Sequence, residues 1–189
     1  MNSASHHLER TIRTMAAVGF DLATPADIRV GREAAAALVG GDIATAETMI
    51  RVQARTGCAV FVARSTEGEL VAAVSAIPLA AAAAPDLAAG RFNGLEPADP
   101  LIARPRDMPI AFYVWGAAGL SWRGRRLALA ASVALQREAY PHLPLYARAA
   151  TDDGARVLQQ RMGARPLPGP ASFGGLVAAA AWDRDRRAA

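Results

Sequence analysis

Arg123, Arg125 and Arg126 stand within four positions, Gly124 lies between the first two, and an apolar run begins at Leu127. Guanidinium groups gathered where a helix is expected to begin can hold an anion in charge-assisted hydrogen bonds. The first-turn amides of the helix supply further donors. Left alone, exposed positive charges at the positive end of a helix cost a few tenths to about 1 kcal/mol each, and a bound phosphate would offset that repulsion. The competing reading is a solvated basic turn whose side chains point outward or pair with acids.

Proton-transfer chemistry has fewer candidates. Between Asp107 and Glu138 the chain has no carboxylate, which leaves Asp107 and Tyr113 as the titratable groups around the strongest strand signal. Either could act as acid or base, while Asp107 reads equally as a surface residue and Tyr113 as a packed one. His6, His7 and His142 have no acid or thiol at ligand spacing, so no metal site is expected. Ser121 precedes Trp122 and Arg123 rather than sitting in a Gly-x-Ser-x-Gly elbow. Cys58 opens an apolar segment and reads as core. Gly116 and Gly119 lack the dinucleotide fingerprint. All 21 basic residues are arginine, which excludes every mechanism built on a lysine.

These residues need elements to position them. Leu8, Ile12, Met15 and Ala16 predict an amphipathic helix over residues 6–18. Thr24-Pro25-Ala26-Asp27 starts a second, closed by Gly40-Gly41. A third is expected from Asp42 or Thr45 to Gly57, with Ile43, Ala46, Ile50 and Ala54 on its buried face. Two apolar runs, 59–63 and 70–74, flank the turn Ser65 to Glu69 and predict a hairpin. Residues 78–108 are alanine- and proline-rich without a period, and read as a lid or insertion outside the core. Ile110 to Trp115 is a strand, followed by a bend at Gly116 and Gly119 and a helix from about Arg125 to Tyr140, buried on several sides. A strand over 143–149, a helix from Asp152 or Asp153 to Met162, an apolar run 173–182 and a charged tail complete the chain.

That succession from Pro109 to Leu167 resembles the core of the GCN5-related N-acetyltransferase (GNAT) superfamily. Arg123-Gly124-Arg125-Arg126-Leu127-Ala128 falls on the family pattern Gln/Arg-x-x-Gly-x-Gly/Ala, with Arg126 standing where the family has glycine. Residues 152–164 resemble Asn-x-x-Ala-x-x-Leu-Tyr-x-x-x-Gly-Phe, with Gln159 at the position of the tyrosine that serves as general acid and Ala164 replacing the phenylalanine. The resemblance implies a mixed, mostly antiparallel α/β sheet flanked by helices, with splayed central strands. It implies acetyl-coenzyme A or another acyl-coenzyme A as cosubstrate, with pyrophosphate on Arg123, Gly124, Arg125, Arg126, Leu127 and Ala128. Ala118 and Leu120 would meet the thioester and pantetheine, Asp152 would be a further cofactor contact, and a small-molecule or protein amine would accept the acyl group. The first strand of the family pattern is not obvious near the N-terminus, where a helix stands instead. A module that keeps the fold and coenzyme A but has lost transfer is the alternative, favoured by Arg126, Gln159 and the acid-free strand.

The totals agree with one domain, residues 1–182, followed by a tail over 183–189. A length of 189 residues with 52% hydrophobic and 20% charged residues is globular. The net charge of +4 is modest and interspersed, so nucleic acid is not favoured, while a second copy of the chain stays open as a partner. A single cysteine excludes an internal disulfide and fits a reduced, cytoplasmic setting. Glu9 and two histidines precede any apolar run, unlike a secretory signal, and the uncharged stretch from Leu70 to Pro85 is interrupted by Pro78 and shorter than the roughly 20 apolar residues of a membrane span.

Overall fold

Residues 6–39, 43–167 and 175–181 are described by a computed structural model of the chain. The expected hairpin joins β2 (Val60–Arg64) to β3 (Leu70–Leu79), its turn closed where the Ser65 amide donates to the Glu69 carbonyl at 2.8 Å. The strand β4 (Ala111–Gly119) lies antiparallel along β3, and β5 (Leu145–Arg148) runs parallel to β4. With β1 (Asp21–Leu22) at one edge and β7 (Leu176–Ala179) and β6 (Arg165–Pro166) at the other, the order is β1-β2-β3-β4-β5-β7-β6. The sheet is mixed and mostly antiparallel, with β4 at its centre.

Side-chain alternation divides the interior into two layers. Phe61, Val74, Phe112, Val114 and Leu145 face α1 (His6–Ala17), α5 (Trp122–Ala134) and α6 (Asp152–Met162), whose Met15, Ala131 and Leu158 meet them. Val60, Val62, Ile77 and Tyr113 face α2 (Pro25–Val39), α3 (Ala46–Thr56) and the segment after β3, through Ile28, Val52, Phe92 and Ile102. A turn of π-helix, Leu135–Ala139, extends α5 and leaves Tyr140 buried with its ring stacked on Phe112 at 5.0 Å.

Several expectations are corrected. Residues 78–108 contribute to the core rather than standing outside it: Leu79, Ala83, Leu87, Phe92, Ile102 and Ala103 are all buried. The segment comprises a 3-10 turn (Ala81–Ala83), the short helix α4 (Ala84–Ala88) and a second 3-10 turn (Asp99–Leu101), and its return pairs Ile102 with Leu79. Pro78 does not end β3, because β2 reaches only to Ser75 and the missing amide therefore breaks no ladder. Thr48, Val52 and Thr56 form the fully buried line of α3, whereas Ala46 and Ile50 are half-buried, Ala54 is exposed and Ile43 precedes the helix. The threonine methyls pack while their hydroxyls bond Glu96 at 2.7 Å and the Val52 carbonyl at 2.9 Å. Thr45 caps this helix, and Asp42 and Gly40-Gly41 fall outside the described residues. A short first strand does exist, but its two residues are too few to carry a period. Of the run 173–182, Leu176–Ala179 is strand, and the tail over 183–189 lies outside the described residues.

Candidate active site: a fork between two parallel strands

The strands β4 and β5 pair through only three residues each, Phe112 with Leu145, Tyr113 with Tyr146 and Val114 with Ala147. Beyond Val114 the first continues along β3 to Gly119, while the second ends at Arg148. The two therefore part like a fork. A bulge sits at its apex, because Val114 faces Ala76 and Gly116 faces Ser75, so that Trp115 is the extra residue.

The bulge determines which amides enter the fork. Leu120 donates to the Val71 carbonyl at 3.0 Å, and antiparallel alternation then turns Ala118 and Gly116 toward β3 as well. The amides of Ala117 and Gly119 point the other way, into the fork. Among the expected donors Ala118 and Leu120, the second is engaged and the first faces β3; the intervening Gly119 takes the open position.

Helix α5 begins beside the open edge, three residues earlier than the arginine pattern predicts. Ser121 is its cap, its hydroxyl accepting from the Gly124 amide at 3.1 Å and its carbonyl from Arg125 at 2.8 Å. The amides of Gly124 and Arg125 are thus occupied, and those of Leu127 and Ala128 lie inside the helix ladder. The first-turn donors without an intrahelical acceptor are those of Trp122 and Arg123. Gly124 is also a packing glycine: a β-carbon there would stand 2.2 Å from the Val71 carbonyl oxygen, and one on Gly119 would stand 2.1 Å from the Arg125 nitrogen. Backbone packs on backbone at this crossing.

Arg123, Arg125 and Arg126 are exposed, and none belongs to an ion pair among the described residues. The guanidinium of Arg126 lies 4.8 Å from the centre of the Trp122 ring, itself 71% exposed. That stack carries the Arg126 side chain onto the helix surface, one turn from the residue it covers. Leu127 is half-buried and Ala128 is buried against the sheet. Asp152 is exposed in the first turn of α6, which Thr151 rather than an acid caps by accepting from the Gly154 amide. Gln159 is exposed on the same helix.

The two proton-transfer candidates are not brought together. Asp107 closes a turn, accepting from the Arg104 amide at 2.8 Å, and precedes β4 at the end opposite the fork. Tyr113 is 4% exposed, and burial pushes its phenol up to about 12, so it is protonated and packed at neutral pH. Its ring meets Phe92 at 5.0 Å and crowds Gly94, where a β-carbon would lie 2.7 Å from the phenol oxygen.

Two side chains that the sequence did not mark as site residues tie a distant segment to the apex of the fork. The Trp115 indole donates to the Gly94 carbonyl at 2.6 Å, and Arg148 donates to the carbonyls of Gly90 at 3.2 Å and Phe92 at 2.9 Å. Only the identity of Trp115 as a strand aromatic was readable, since its partners are 21 positions away and those of Arg148 more than 50.

Chemically, this arrangement offers two amide donors at an open strand edge, able to polarise a carbonyl, and unpaired guanidinium groups one turn away, able to hold an anion. No family model matches the chain, and no curated protein matches it. Among solved structures, the chain is similar to one described as histone acetyltransferase HPA2 and related acetyltransferase from Corynebacterium glutamicum, at 20% identity over 84% of this chain and 92% of that one, with a TM-score of 0.47.

Proposed function

We propose that the chain is an acyl-coenzyme-A-dependent N-acyltransferase of the GNAT type, transferring an acyl group, acetyl in the simplest case, to an amine. The observation that carries this reading is the fork itself, in which a bulged central strand presents the Ala117 and Gly119 amides beside the start of an arginine-rich helix. A thioester carbonyl accepting from those amides would be polarised for attack, and the oxyanion that forms would be stabilised where it develops. The coenzyme pyrophosphate would lie on the Trp122 and Arg123 amides, with Arg123 and Arg125 supplying side-chain contacts. The amine would approach from the face of α2 and α3, opposite the helix that holds the phosphates.

A second reading is a coenzyme-A-binding module without transfer. It is favoured by Gln159, which cannot release a proton to the departing thiolate, and by the placement of Asp107 away from the fork. Calorimetric titration with coenzyme A, followed by thiol release from acetyl-coenzyme A with a panel of small amines and peptides, separates these. Binding with amine-dependent release supports the enzyme, and binding without release supports the module. No binding at millimolar coenzyme A overturns both.

A further inference from the structure

The loop from Gly90 to Gly94 is bonded to both sides of the fork at the point where the strands part. Trp115, the residue immediately after the last paired position of β4, holds the Gly94 carbonyl. Arg148, the residue immediately after the last position of β5 paired with β4, holds the carbonyls of Gly90 and Phe92. Between these anchors Phe92 and Gly94 are buried against Tyr113, with no room for a side chain on Gly94. The loop belongs to the layer of α2 and α3 and so closes the apex from the side opposite α5.

We infer that this loop is a strap across the fork that limits the length of the acyl group, with Trp115 and Arg148 as its positioning residues. The inference rests on the acyl-coenzyme A reading. A thioester reaching the Ala117 and Gly119 amides from the α5 side directs its acyl chain toward the apex, where Trp115, Tyr113 and Phe92 are already packed. An acetyl group needs no further space. A chain of eight carbons would have to displace the strap and separate the Trp115 indole from Gly94, losing a hydrogen bond and well-packed aromatic contacts. The strap is therefore a selector for short acyl groups.

The test compares binding of coenzyme A, acetyl-coenzyme A and octanoyl-coenzyme A to the wild type, Trp115→Phe and Gly94→Ala by calorimetry. Trp115→Phe replaces the indole by a smaller phenyl ring and removes the donor; Gly94→Ala pushes the loop from Tyr113. The wild type should prefer the acetyl over the octanoyl thioester by about tenfold or more. Each variant should shrink that ratio by about threefold to tenfold, the worth of one hydrogen bond, while affinity for coenzyme A stays within about twofold. Equal affinity of the wild type for both thioesters, or an unchanged ratio in Trp115→Phe, overturns the strap while leaving coenzyme A binding intact. Failure of the wild type to bind coenzyme A removes the parent reading and the strap with it. Hydrogen exchange of the amides over 91–95 reads the anchor without ligand: it should accelerate about fivefold in Trp115→Phe, and unchanged exchange shows that the indole does not hold the loop.

Discussion

Within the arginine turn, the side chains divide by what holds them. Arg126 is committed to the Trp122 ring, whereas Arg123 and Arg125 have no acid partner among the described residues. Replacing Arg123 or Arg125 by alanine should weaken coenzyme A binding by about tenfold at low salt, the scale of one charge-assisted hydrogen bond, and leave folding stability within about 0.5 kcal/mol. Calorimetry and urea unfolding measure the two quantities. Arg126→Gly should strengthen binding if the native side chain obstructs the phosphate and weaken it if the side chain clamps it. The arginines were visible as a cluster in the sequence, but their division was not. Trp122 stands four residues before Arg126, but that spacing brings the two together only in a helix that already includes Trp122, and the sequence places the helix start near Arg125. Ser121 was hidden for a related reason. Gly124 reads as a turn glycine, and only its 2.2 Å approach to Val71 reveals that it lies inside the helix whose cap is the serine.

The 78–108 segment shows how an element can be misjudged from composition. Prolines and alanines without a period predict a loose insertion, yet three residues of α3 clamp its return. Thr48 donates to Glu96 at 2.7 Å, Arg51 pairs with Glu96 and Asp99 and donates to the Pro97 carbonyl at 2.9 Å, and Arg55 donates to the Ile102 carbonyl at 3.2 Å. These ties span more than 40 positions and join polar residues that each read as surface in isolation. Limited proteolysis of the wild type should therefore leave residues 96–102 intact, with Arg51→Ala making cleavage there faster; cleavage first in this segment of the wild type would contradict the clamp. By contrast, β4 was legible because Ile110 to Trp115 combines β-branched and aromatic residues behind a proline. Its extension to Gly119 was not, since glycine and alanine carry no strand preference and are held there by pairing with β3.

At the scale of the whole molecule, His7 joins the N-terminal helix to the chain just before β4. It is 6% exposed, its Nε2 lies 3.3 Å from the Arg104 carbonyl, and its Nδ1 is buried without a partner among the described residues. Burial is the main cause that lowers its proton affinity, with Arg10 adding to the effect and Asp107 opposing it. The unfolded chain consequently binds more protons than the native one from near pH 6.5 down to the lowered native value. Stability contributed by neutral His7 is present above that window and is lost as pH falls through it. Urea unfolding across mildly acid pH should show this slope in the wild type and lose it in His7→Gln, which retains a donor for Arg104. A slope of equal size in both proteins would assign it elsewhere.

The crossing of Gly119, Gly124 and Val71 joins α5, β3 and β4 backbone to backbone. With no side chain at that crossing, a tilt or slide of α5 on β3 and β4 would drive backbone into backbone there, so these three elements form a fixed anvil. A Gly124→Ala substitution should test this directly, destabilising the fold by about 1–3 kcal/mol in chemical denaturation through overpacking against backbone. Any widening needed to admit a ligand must then come from the opposite jaw, the unit of β5, α6 and β7. The contacts through Arg148 make the Gly90 to Gly94 loop the tether between that jaw and the anvil, so any change in the aperture of the fork would first strain the bonds at its apex.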